Sequence, residues 1–322
     1  MKLPILSTII LISTFMSSCS TLRNSAVGMA SPLFMEGSKG LEKEGDLELF
    51  KSSTPGNLKL LEGLLEVKPK DLNLLSSLVK GYGGYAFAVN ETAFLKDSLQ
   101  EKDDTQNKVE ALRNYSKAIS YGLRYLEASG ISFSELERSL KDQGGMSKLL
   151  SDKLSDSPRD IDAVLFTAQS LAGLINLQKT NMALVARLGV AKGMFDWACA
   201  LSPDFNFGMC DIFFGAYEAA RPRMLGGNPE KGKEIFLAAM KKWPENALIT
   251  VSYIQYYLIP MAEEDEYRQL KVRLENFKND FDKSLVWSPD NAISVGPERL
   301  RLYQSIALER FKIIKRLEKE IF

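Results

Sequence analysis

Histidine is absent from all 322 residues. That excludes Ser-His-Asp and Cys-His catalysis, imidazole general bases and every histidine-ligated metal site. Charge of one sign is missing as well. The 41 Lys and Arg balance 41 Asp and Glu, so the chain carries no basic footprint for nucleic acid. Cysteine is scarce, with three residues. No apolar run reaches the roughly 20 residues that a membrane-spanning helix requires. No segment alternates with period two, and no Asn-Gly hairpin signal occurs. Carboxylates and lysines remain for chemistry. Glu218, inside the apolar stretch FFGAYEAA, is the one catalytic candidate, and it has no companion carboxylate at readable spacing. The sequence therefore assigns no catalytic residue, metal ligand or cofactor, and a non-enzymatic role is expected.

What is present begins with MKLPILSTIILISTFMSSCS. One lysine, a short apolar run and the small residues Ser17 and Ser18 before Cys19 predict an export signal over 1–18. The pattern is a relaxed lipobox, with Met16 where leucine is usual, and it predicts a lipidated Cys19. Residues 19–45, rich in Gly and Ser, read as the lipidated N-terminus and a flexible tether, and 46–322 as the folded domain. The expected location is the periplasm, with the lipid held in a bacterial envelope membrane. Cys199 and Cys210 flank ALSPDFNFGM. Two small buried thiols are the simpler reading of this pair. An oxidising compartment also permits a disulfide.

After Asp46 the apolar periodicity is helical: Leu58, Leu61, Leu64 and Leu65 form one stripe, and Leu74, Leu75, Leu78 and Tyr82 another. The fold class is all-α. The stretch GNPEKGK, Gly227–Lys233, imitates a phosphate loop, but Glu234 stands where a magnesium-ligating hydroxyl would be, and no strand precedes it. It reads instead as a helix start, with Asn228 as N-cap and Pro229 at the first helical position.

That helix carries a frame of small residue, aromatic, Ala and Pro at Gly232, Phe236, Ala239 and Pro244. The same spacing recurs at Ala191, Phe195, Ala198 and Pro203. Degraded copies occur at Phe277, Phe281, Ser284 and Pro289, at Asn57, Leu61, Leu64 and Pro69, and at Ala111, Tyr115 and Ala118. The intervals are uneven, so the expectation is irregular tetratricopeptide-like hairpins stacked into a curved or closed superhelix. Residues 129–159, polar and rich in Gly and Ser, read as a long connection ending at a capped helix start, Ser157–Asp160.

Candidate ligand or partner residues are few. Tyr253, Tyr256 and Tyr257 lie in NALITVSYIQYYLIP, a helix apolar on nearly all faces. Tyr82 and Tyr85 lie in the glycine-rich GYGGYAFAVN. Core packing accounts for both groups, and rings lining an interior groove are the sharper alternative. Arg221 and Arg223 bracket Pro222 at a helix end, suited to capping or to a carboxylate.

The block FGMCDIFFGAYEAARPRMLGGNPEKGKEIFLAAM, with Gly215, Tyr217, Pro222, Gly226, Gly227, Phe236 and Ala239, resembles the TatT family, the T component of TRAP transporter systems. The likeness continues through ALITVSYIQYYLIP and more weakly through LYQSIALERFKII, where Gln304 replaces an expected Asn. It implies a lipoprotein of helical hairpins beside a periplasmic substrate-binding protein, a role in TRAP-type uptake of an organic-acid or apolar solute, and trimerisation. A general tetratricopeptide lipoprotein serving envelope assembly is the alternative reading.

Overall fold

The computed structural model describes residues 23–289 and 295–322. Cys19 and the export signal expected over 1–18 lie outside them. Every element among the described residues is helical, so the all-α expectation holds. In chain order the helices are α1 (23–38), α2 (Leu47–Val67), α3 (Leu72–Tyr85), α4 (Thr92–Leu99), α5 (Gln106–Ala128), α6 (Phe133–Ser139), α7 (Gly145–Ser151) and α8 (Pro158–Asn176). There follow α9 (Met182–Val185), α10 (Leu188–Leu201), α11 (Met209–Ala219), α12 (Pro229–Lys242), α13 (Ala247–Tyr253), α14 (Ile259–Met261), α15 (Glu264–Ser284) and α16 (Arg301–Ile321). None of them is long and apolar enough to cross a membrane.

Local chemistry sets the helix starts. Asp46, Asp71, Asn228 and Asn246 each accept backbone N–H groups from the first turn of their helix. At the phosphate-loop look-alike, Asn228 accepts from the Lys231 N–H at 3.1 Å and Lys233 pairs with Glu266 at 2.8 Å. The stretch is a capped helix start. Pro55, inside α2, has no N–H for the Lys51 carbonyl one turn back. The Tyr85 hydroxyl donates to that carbonyl instead, at 3.4 Å.

Neighbouring helices pair as hairpins: α3 with α5, α5 and α10 with α8, and α11 with α12. The repeat frame is the contact surface. Ala111, Tyr115, Ala118, Ala191, Phe195, Ala198, Phe236 and Ala239 are all buried, whereas Leu61 and Leu64 of the degraded copy are half-buried. A Cβ on Gly232 would lie 2.7 Å from the Ala219 Cβ, so α11 and α12 approach as closely as they do only because that position is bare.

The last helix closes the stack. Helix α16 packs on α13, on α4 and on the short 3₁₀ turn Leu41–Lys43 near the front of the fold. Gln304, 1% exposed, accepts the Ala247 N–H and donates to the Glu245 carbonyl, tying α16 to the start of α13. Glu42, 3% exposed, bonds Arg299 at 2.6 Å and Lys80 at 2.7 Å, and Lys80 also reaches Asp162 at 3.2 Å. Burial works against the Lys80 ammonium, yet the Asp162 and Glu42 carboxylates raise its pKa.

Three expectations are corrected. The tether expected over 19–45 is ordered from residue 23: α1 buries Val27 and Ser31, and the Ser31 hydroxyl donates to Asp71 at 3.2 Å. Small polar residues suggested a tether because their partners lie tens of residues away. The connection expected over 129–159 instead holds α6, started by a capping box on Ser132 and Glu135, and α7, which packs on α10. Finally, Cys199 and Cys210 are joined as a disulfide, Cα to Cα 5.9 Å, clipping α10 to α11. The loop it closes is short, so opening it through Cys199→Ser with Cys210→Ser is expected to cost about 2–3 kcal/mol. Urea melts of parent and variant, with and without reductant, check this. Reductant should shift only the parent.

Candidate functional site

Two helices slip out of α register where the fold needs polar groups inside. Ala86–Glu91, between α3 and α4, and Ile254–Leu258, between α13 and α14, are π-helical. Such segments occur often at functional sites, because the extra residue redirects side chains and loosens a carbonyl. Here the first buries Asn90 and Glu91, and the second turns the half-buried Gln255 and Tyr256 toward Arg310 and Glu91.

Arg310 of α16 joins them. It is 1% exposed and sits on the same face as the buried Tyr303, Ile306, Ala307 and Ile314. Its Nη2 donates to the Phe87 carbonyl at 2.8 Å and faces Glu91 at 3.5 Å. Its Nε donates to the Thr92 hydroxyl at 2.9 Å, its Nη1 to Gln255 at 3.3 Å, and its plane stacks on the Phe87 ring 4.2 Å from the centroid. Glu91 also accepts from the Tyr115 hydroxyl at 2.5 Å and, more distantly, from Tyr256 at 3.5 Å. Burial and the Glu91 charge both push the Tyr115 and Tyr256 pKa values up, so these phenols stay protonated donors.

One further cation faces this centre. Lys179, in the turn between α8 and α9, is exposed overall, and only its ammonium end is drawn in. Burial of its ammonium lowers its pKa, with Glu91 the opposing influence. It has no hydrogen-bond or ion-pair partner among the described residues. Glu91 against Arg310 and Lys179 leaves one positive charge in surplus. Gln255 and Tyr256 stay half-buried beside it. Chemically, the centre offers protonated hydroxyls and cationic N–H donors, with a single carboxylate among them. No pair of carboxylates there is placed for acid–base work, and no described cluster of Cys, Asp and Glu has metal-binding geometry.

The sequence candidates are dispersed. Only Tyr256 reaches the polar centre. Tyr82 donates to Glu62 at 2.7 Å, on the α2–α3–α5 side, and Tyr85 serves the carbonyl freed by Pro55. Tyr253 donates to Glu266 at 2.9 Å and stacks on Tyr257, which in turn lies under the Lys233 ammonium. Arg221 stacks on Tyr217 and donates to the Gly226 carbonyl at 2.6 Å, while Arg223 pairs with Glu230. Glu218 is neutralised by Lys231 at 2.7 Å and Arg221 at 3.6 Å. Glu91, Lys179 and Arg310 were missed. The readable signal for two of them was an acid inside the apolar run GGYAFAVNETAF and an arginine on the apolar stripe of α16.

A second carboxylate, the half-buried Glu62, shows how this protein stabilises its acids. Burial would raise the Glu62 pKa, but hydrogen bonds from Lys59, Tyr82, Tyr121 and Lys117 outweigh it and bring the value down to about 2 from 4.5. A depressed carboxylate contributes stability above its unfolded pKa, and the contribution fades as pH falls from about 5 toward 2. Glu62→Gln is therefore expected to lose up to about 3 kcal/mol at neutral pH. The gap from the parent should close on acidification, as read by urea midpoints across pH. Arg310→Leu is expected to cost about 3–5 kcal/mol by leaving Glu91 buried without its cation, and adding Glu91→Gln should restore part of the loss. Denaturant unfolding of the single and double variants tests that coupling.

None of the curated proteins compared matches the chain. The family model for the TRAP transporter T-component matches residues 43–285, which takes in both π-helical segments, Glu91, Lys179 and Tyr256, while α1 and α16 lie outside it. A match over this share of the 322 residues, on an all-helical fold of paired hairpins, means that the chain belongs to the TRAP transporter T-component family.

Proposed function

We propose that this protein is a non-enzymatic, lipid-anchored periplasmic accessory of a TRAP-type uptake system. It docks the system's soluble substrate-binding protein and holds a small organic anion at the polar centre inside its helical stack. The observation that carries the ligand part is Lys179, without a hydrogen-bond or ion-pair partner among the described residues and in the field of Glu91, whose own charge is met by the buried Arg310. Tyr256, half-buried with a protonated hydroxyl held by a long 3.5 Å bond to Glu91, is the second group able to turn toward the anion. Arg310 itself is fully engaged by protein and acts as a positioning residue. Docking rests on family membership together with the exported, acylated N-terminus read from Cys19. The absence of histidine and the neutralised state of Glu218 support a role without bond-making.

Affinity capture from native envelope extract is expected to recover a TRAP-type substrate-binding protein. Capture of outer-membrane assembly clients in its place would favour the scaffold reading. For the ligand, titration calorimetry with succinate as the probe is expected to show binding that Lys179→Ala weakens tenfold or more, one charge-assisted hydrogen bond being worth about 1.5–3 kcal/mol. Equal affinity in parent and variant would remove Lys179 from the site.

A further inference from the structure

Helix α1 is apolar on its outward face as well as on the face that packs Val27 and Phe34 against the core. Its inward face carries Val27 and Ser31, with Ser31 bonded to Asp71 at 3.2 Å and receiving the Asn73 amide at 3.2 Å. Its outward face carries Ala26, Met29 and Leu33, and the two larger side chains are 73% and 72% exposed. Between Arg23 and Glu36 the helix has no charged residue. An exposed helix face normally carries charge, and an apolar one marks a surface that meets something other than water.

We infer that the outward face of α1 lies on the phospholipid bilayer that holds the anchor, with Met29 and Leu33 dipping among the acyl chains. This rests on the acylation of Cys19 proposed above. The described helix begins four residues after that cysteine, and four residues span at most about 14 Å. A lipid in the bilayer therefore keeps the start of α1 within reach of the headgroups. Amphipathic helices lie in that plane with the apolar side about 5–10 Å deep. Two large side chains are too little surface for a second copy of the chain, since a stable interface needs about 800 Å² from each partner. The inner face, fixed by Ser31 and Asp71, transmits the orientation to the body, so the membrane contact sets which side of the helical stack faces outward.

The test uses the full acylated chain in phosphatidylethanolamine–phosphatidylglycerol vesicles. Mass spectrometry of the N-terminal peptide first reports acylation. A fluorophore is placed on Leu33→Cys, the native Cys199–Cys210 pair being already oxidised. Nitroxides on the lipid acyl chains are expected to quench it by half or more, and Met29→Glu is expected to abolish most of that quenching while the protein stays vesicle-bound. An unmodified Cys19 would overturn the anchor and the inference with it. An acylated, vesicle-bound chain whose probe at residue 33 stays unquenched would overturn the helix contact alone. The same result would follow if the probe were already shielded in detergent solution by a second copy or a bound protein.

Discussion

A guanidinium taken out of water needs a carboxylate and a full set of acceptors, and that requirement binds the end of this chain to its first half. Arg310, 1% exposed, meets Glu91, the Phe87 carbonyl, Thr92 and Gln255. Each partner comes from a segment far away in sequence, and breaking such a set costs more than the pair itself contributes. Glu42 repeats the arrangement with opposite sign, gathering Arg299 and Lys80 at the seam where front and back of the fold meet. A stack of hairpins joined only by apolar contact could open as a curved solenoid. Ion pairs from α16 and from the turn before it hold the last helix against the front of the fold.

Closure makes the site possible. The π-helical segments would expose loosened carbonyls and inward polar groups if nothing covered them, and a buried backbone group without a partner is costly. Arg310 satisfies the Phe87 carbonyl in one segment and the Gln255 side chain that the other turns toward it. Lys179, exposed and without a hydrogen-bond or ion-pair partner among the described residues, feels the Glu91 charge from outside this balanced pair.

The missing histidine has a structural counterpart. Carboxylates at half-buried and buried positions are satisfied by tyrosine hydroxyls. Tyr82 and Tyr121 serve Glu62, Tyr115 serves Glu91, Tyr253 serves Glu266, and Tyr267 serves Glu318. A phenol can donate without titrating near neutral pH, so these bonds hold across the physiological range where imidazole would change charge. Several tyrosines that the sequence offered as ligand contacts are thereby occupied in holding the scaffold together.

By itself the sequence determined the helical class, most helix starts, the hairpin frame around Phe195 and Phe236, and the family. All of these are written in spacings of a few residues, since helical periodicity and capping are local. What it left undetermined was decided by contacts across the chain. The Cys199–Cys210 bond depends on how α10 and α11 cross, and the order of α1 depends on Asp71 some 40 residues on. The polar centre needs Arg310 to meet Glu91 across 219 residues. A charged residue on an apolar stripe announces that a partner exists, but only the packing of helices distant in sequence says which one, because burial demands a counter-charge without specifying where along the chain it lies.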